Sequence, residues 1–293
     1  MKLPATTGLG PVHIAVTDAE RALLIWRDMV GLSEIARDQS TITLGAGGRP
    51  LIVLEPGAAR PVLQNTSGLY HVALHVPSRR DLAVVTGRLM AARIRNSPTD
   101  HLVSEAVYLW DLDGNGIEMT FETPWRGTFK SDGSTFYALT TDGRRHSGRD
   151  AIDLHSLLGE LKREDELREK LPAGTRIGHV HLHVGDLEKA MAFYADDGVG
   201  FARQMLAKQV RMGDVTLGYQ PHALAFNTWA GVGAPQPPPD SAGLRWFGIT
   251  LPDERDLAAM RTRLGAVTDI DGGFEVADPA GNRLRVTVAA GDG

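Results

Sequence analysis

The sequence predicts an α+β protein made of four βαβββ modules paired into two domains. Two internal repeats and one periodicity lead to that reading. Residues 10–26, GPVHIAVTDAERALLIW, return as GHVHLHVGDLEKAMAFY at 178–194, a constant offset of 168. Residues 68–83, GLYHVALHVPSRRDLA, return as GLRWFGITLPDERDLA at 243–258, and DLDGNGIEM at 111–119 returns as DPAGNRLRV at 278–286. Each repeat opens on a strand of alternating apolar residues, passes through a helix-period stretch such as AERALLIWRDMVGL, and closes on short strands with turn glycines.

In chain order the modules run over residues 8–56, 68–122, 176–230 and 243–290. The first two are expected to pair as an N-terminal, metal-binding domain at 1–123, and the last two as a degenerate C-terminal domain at 176–293. Residues 124–175 form a linker: a Gly/Ser-rich stretch, then RDAIDLHSLLGELKREDELREKL, which reads as an amphipathic helix across the domain junction. Residues 227–243, NTWAGVGAPQPPPDSAG, are too rich in Pro and Gly for regular structure and read as an extended strap, bordering a pocket or simply linking.

Composition narrows the chemistry. With no cysteine among 293 residues, thiolate sites and disulfides are excluded, so any metal must be held by imidazole, carboxylate or water. A net charge of −5 without a basic stripe argues against nucleic acid and leaves a small molecule as the expected ligand. No apolar run approaches the roughly 18 residues of a membrane span, and MKLPATTGLG lacks the features of a signal peptide, so a cytoplasmic location is expected.

Strand alternation picks out a polar constellation. In VHIAV, His13 and Ala15 face one way and Val12, Ile14 and Val16 the other; in YHVALHV, His71, Ala73 and His75 oppose Val72, Leu74 and Val76. In GIEMTF, Glu118 lies with Gly116 and Thr120. A lone strand histidine is more often structural than a ligand. Together, at repeat-equivalent positions, His13, His71 and Glu118 read as a 2-His-1-carboxylate metal site with open positions.

The stretch TDHLVSEAVYLWDLDGNGIE, residues 99–118, resembles the signature of the extradiol ring-cleavage dioxygenases. These belong to the vicinal oxygen chelate superfamily, with glyoxalases and bleomycin-resistance proteins. His101, Val107, Tyr108, Asp111, Gly114 and Glu118 fall in register, and Leu112 stands where that family has proline. GLYHVALHVPSRRDLA, PAGTRIGHVHLHV and NTWAGVGAP are most similar to Bacillus-type catechol 2,3-dioxygenases.

The resemblance implies Fe(II), or alternatively Mn(II), on His13, His71 and Glu118, with a catechol-type aromatic diol and O2 as substrates. It implies that Tyr108 hydrogen-bonds a substrate oxygen and that His101 orients substrate or relays a proton. Many such enzymes carry another acid/base histidine shortly before the second ligand strand, and residues 56–70 contain none. His75 is either support for a ligand or a satisfied core histidine. Paired-module proteins of this kind often self-associate, and the sequence leaves the oligomeric state open.

In the C-terminal half His13 maps to His181, but His71 maps to Trp246 and Glu118 to Arg285. Without that carboxylate, His179, His181, His183 and His222 are read as structural or pocket-lining. Two rivals stand beside the dioxygenase: a glyoxalase-like isomerase or lyase on Ni(II) or Zn(II), with Glu55 as fourth ligand, and a metal-free ligand-binding protein.

Overall fold

The computed structural model describes residues 2–131, 136–195, 198–218 and 222–289. Module one holds β1 (Gly8–Val16), α1 (Ala19–Leu23) running into a wide π turn, β2 (Ser33–Arg37), β3 (Ile42–Ala46) and β4 (Arg49–Pro56). Module two holds β5 (Gly68–His75), α2 (Arg79–Ala91), β6 (Ser97–Asp100), β7 (Ser104–Trp110) and β8 (Gly116–Glu122). After the linker, with β9 (Gly127–Ser131), β10 (Phe136–Thr140), β11 (Arg145–His146) and α3 (Leu154–Leu158), module three follows. It comprises β12 (Arg176–His183), α4 (Leu187–Tyr194), β13 (Ala202–Ala207), β14 (Met212–Thr216) and β15 (Leu224–Asn227). Module four comprises β16 (Gly243–Leu251), α5 (Glu254–Leu264), β17 (Thr268–Ile270), β18 (Gly273–Ala277) and β19 (Arg283–Val288).

Every module starts its helix the same way. Asp18, Ser78, Asp186 and Asp253 are extended residues whose side chains accept from the first-turn N–H groups. At Ser78 the cap is reciprocal, because Asp81 reaches back to the Ser78 N–H.

The modules do not pair as neighbours along the chain. One eight-stranded sheet runs β17-β18-β19-β16-β1-β4-β3-β2, and the other β13-β14-β15-β12-β5-β8-β7-β6. Module one therefore shares a sheet with module four, and module two with module three, so the expected division at 1–123 and 176–293 is not the division between sheets. The seams are the antiparallel pairs β1:β16 and β5:β12. Each module offers the same open edge at its first strand. A repeat reveals which modules are alike, while the seam is made by backbone groups that carry no sequence signature.

The modules that are consecutive in the chain are instead tied across the two sheets. Trp26 Nε1 donates to Asp111 Oδ2 at 3.0 Å, and Tyr194 OH donates to Asp278 Oδ2 at 2.9 Å. These are equivalent bonds, one repeat apart. In each turn the aspartate also receives the backbone and side-chain N–H groups of an asparagine four residues on, Asn115 or Asn282. Gly114 takes a φ of 96° in the first turn and Gly281 one of 87° in the second.

The linker departs from expectation too. Residues 127–146 contribute a small three-stranded sheet, β11-β10-β9, and the long helix is replaced by α3 and a 3-10 turn at Glu164–Arg168. Gly159 closes α3, and the acidic residues beyond it turn toward α2. Arg79 binds Glu105 and Glu160, and Arg80 binds Glu166 and Glu169. Residues 228–242 carry no strand or helix and are held by an Arg60–Asp240 ion pair at 2.7 Å. Among the described residues no helix is long and apolar enough to cross a membrane.

Candidate metal centre

The second sheet brings three donors to one point. His71 comes from β5, Glu118 from β8 and His179 from β12. The β12:β5 seam sets His179 opposite Ala73, and the parallel β5:β8 pair sets Ala73 beside Glu118. Side chains on one face then converge from three adjacent strands. His71 Nε2 lies 3.0 Å from Glu118 Oε2, His179 Nε2 lies 3.0 Å from the same oxygen, and the two imidazole nitrogens are 3.1 Å apart. All three residues are buried, with exposures of 5%, 2% and 4%.

These distances fit a metal ion. Three cis ligands of an octahedral ion with bonds of about 2.1 Å stand about 3.0 Å from one another, whereas a tetrahedral arrangement would spread them to roughly 3.4 Å. The triangle matches one face of an octahedron. The donor set fits equally well: burial lowers the His179 pKa to about 4, so its imidazole is neutral. Burial would raise the Glu118 pKa, but His179 and His71 outweigh it and hold the carboxyl well below its usual range. One carboxylate and two imidazoles are the donor set that a hard-to-intermediate divalent ion takes. Among the described residues this is the one group of three or more such side chains with converging donor atoms.

His13 is not part of it. It lies on β1 in the other sheet, with Nε2 3.3 Å from Glu55 Oε2 and its ring edge against Trp246 at 5.2 Å. The repeat partner of His13 is His181, which faces His71 but is engaged by Asn227 Nδ2 at 2.9 Å. The third donor is His179, two residues earlier on the same strand face, where the first strand has Pro11. The signal was the spacing HVHLH in residues 179–183, which puts three imidazoles on one face of one strand. Glu55 is likewise elsewhere: Arg245 Nε donates to it at 2.9 Å, so a four-ligand set with Glu55 does not form.

A polar relay backs the triangle. His179 Nδ1 is 3.4 Å from His75 Nε2, His75 Nδ1 approaches Glu122 Oε1 at 3.3 Å, and Arg176 Nη2 donates to Glu122 Oε2 at 2.8 Å. Groups of this kind fix the tautomer and orientation of a ligand imidazole. Gly178 makes room for it, because a Cβ there would lie 1.9 Å from His75 Cδ2.

Tyr108 and His101 flank the triangle. Tyr108 pairs with Glu118 across β7:β8, and its ring is 5.5 Å from that of His71. Burial, then Glu118, raises its pKa well above the ordinary phenol value, so it stays a hydrogen-bond donor. His101 Nδ1 is 2.6 Å from the Gly148 carbonyl oxygen and must donate there. Its Nε2 lies 2.8 Å from Tyr108 OH.

Sequence reasoning also passed over His222, in the turn before β15. Its ring centroid is 4.2 Å from that of His179, and burial lowers its pKa well below the ordinary imidazole value. It lies just before the last strand of module three. Residues 56–70, where the resemblance puts a further acid/base histidine, contain none, and His222 lies outside the equivalent segment, ahead of β15 rather than after it.

No family model matches the chain. The catechol-2,3-dioxygenase of Bacillus subtilis (strain 168) is 36% identical over 284 residues, covering 93% of this chain and 94% of that protein. Among solved structures, a Bacillus subtilis protein whose assignment as a dioxygenase is provisional aligns with a TM-score of 0.63 at 11% identity, over 98% of this chain and 86% of that one. Glyoxalase I from Zea mays aligns with a TM-score of 0.54 at 15% identity, over 96% of this chain and 92% of that one. At such identities the two structures speak for the fold alone.

Proposed function

Because the chain belongs to the catechol 2,3-dioxygenase family of the vicinal oxygen chelate superfamily, we propose that it cleaves the ring of a catechol-type diol beside the two hydroxyls. Both atoms of O2 enter the product, a ring-opened semialdehyde acid. The observation that carries this reading is the convergence of His71, Glu118 and His179 within 3.0–3.1 Å of one another. We assign the site to Fe(II), with Mn(II) as the alternative. When bound, such an ion supplies the electron route between diol and dioxygen at its open positions.

The protein groups do the rest. His71, Glu118 and His179 would hold the ion, which would offer its open positions to small ligands. Tyr108 donates to an oxygen of the diol, and His101, tied to the Gly148 carbonyl, holds that phenol in place. His222 serves as the acid/base imidazole, accepting a proton from the diol and returning it as the ring opens. The burial of the donors keeps bulk water from competing at the site.

The test is anaerobic reconstitution with Fe(II) and then Mn(II), followed by catechol and air-saturated buffer in an oxygen electrode. One O2 consumed per catechol with a yellow product is expected, abolished in His179→Ala and retained in His13→Ala. Tight metal binding with no oxygen uptake on catechol or its alkyl and carboxyl derivatives would overturn the proposal.

A further inference from the structure

The first sheet holds a cavity of about 680 Å³, and none of His71, Glu118, His179, Tyr108 or His101 lines it. Its floor has the place in the first sheet that the donor triangle has in the second. β16 pairs with β19 as Gly248↔Arg285, just as β5 pairs with β8 as Ala73↔Glu118. Trp246 therefore stands where His71 does, and Arg285 where Glu118 does. A carboxylate that would hold a cation has become a guanidinium that would hold an anion.

The surroundings keep that guanidinium available. Arg285 lies 4.4 Å over the Trp246 ring and spends only its Nε on Glu275 Oε2, at 2.8 Å. Arg245 spends Nε on Glu55 Oε1 at 2.9 Å and Nη1 on the Ser241 carbonyl at 3.1 Å. Among the described residues, neither Nη of Arg285 nor Nη2 of Arg245 has a hydrogen-bond partner. Arg283 shares Glu275, so three guanidinium groups face two carboxylates. His13 Nδ1 is buried here without a hydrogen bond, and its Nε2 faces Glu55 Oε2 at 3.3 Å.

Tyr70, Trp110 and Trp229 add aromatic surface to the lining, with Tyr70 and Trp229 in edge contact at 5.1 Å. The volume suits a small organic molecule, and forked guanidinium donors suit a carboxylate. We propose that this cavity is a second ligand site, taking a small aromatic carboxylate whose charge lies on Arg285 and Arg245 and whose ring lies against that aromatic surface. Tyr70 and Trp229 also touch His181, and Tyr70 touches His71, so the two sites share a layer of side chains.

The probe is naphthalene-2-carboxylate, titrated by calorimetry into the metal-loaded protein, with naphthalene-2-methanol as its uncharged counterpart. Saturable binding of the carboxylate is expected, with the alcohol at least about tenfold weaker. Arg285→Met should weaken the carboxylate by about tenfold or more while leaving the alcohol unchanged, and His71→Ala should leave both unchanged. If Arg285→Met does not fold, Arg245→Met, on the strand beside it, carries the same test. Equal affinity for acid and alcohol, unchanged binding in a folded arginine variant, or loss of binding in His71→Ala would each overturn the proposal.

Discussion

Asp214 sits on β14, opposite Ala225, which in turn lies beside His181. Gln204 Nε2 reaches its Oδ2 at 3.4 Å, and its Oδ1 is buried without a partner. Burial raises its pKa from 3.8 to about 7. The folded state therefore binds this proton more tightly than the unfolded state does. The stabilisation is complete below about pH 4 and is lost as the pH rises through about 7. At about 1.4 kcal/mol per pH unit, the loss across that window is roughly 4 kcal/mol. Asp214→Asn keeps the shape and removes the charge. Urea unfolding of both proteins from pH 4 to pH 8.5 should give similar stabilities at pH 4 and a widening advantage for Asn, approaching roughly 4 kcal/mol at pH 8.5. A difference that does not change with pH would refute the reasoning, because only a group that titrates in that window bends the difference curve.

Gly178→Ala should push His75 off His179 and lower Mn(II) affinity by roughly 10–100-fold, measured by competition with a chelator, with the far-ultraviolet spectrum unchanged. Tyr108→Phe should reduce kcat for catechol by about 100-fold or more while metal content stays at wild type, as follows from the proposed role of the phenol as a donor to substrate rather than to the ion. Tyr194→Phe removes the buried donor to Asp278 and should cost about 1–3 kcal/mol in chemical unfolding, with little effect on metal binding.

Much of the architecture is legible in the sequence because it is written in side chains. The 168-residue repeat, the facing of His71 with Ala73 and His75, and that of Glu118 with Gly116 and Thr120 follow from residue type and spacing. The pairing of modules does not. It depends on which first-strand edge finds which. That one choice moves the site. In the sheet that modules two and three form, His179 completes the triangle, while His13 lies in the other sheet beside Glu55. The linker helix failed for a different reason. Its charges suggest a solvated face, whereas Glu160, Glu166 and Glu169 are partners for Arg79 and Arg80 on α2.

The central claim is that the metal is held between modules two and three. Its most direct test is the Mn(II) content of wild type, His71→Ala, His179→Ala and His13→Ala after anaerobic loading and gel filtration. One ion per chain is expected in wild type and His13→Ala, with loss in His71→Ala and His179→Ala. Metal retained by a folded His179→Ala protein and lost from His13→Ala would contradict the account.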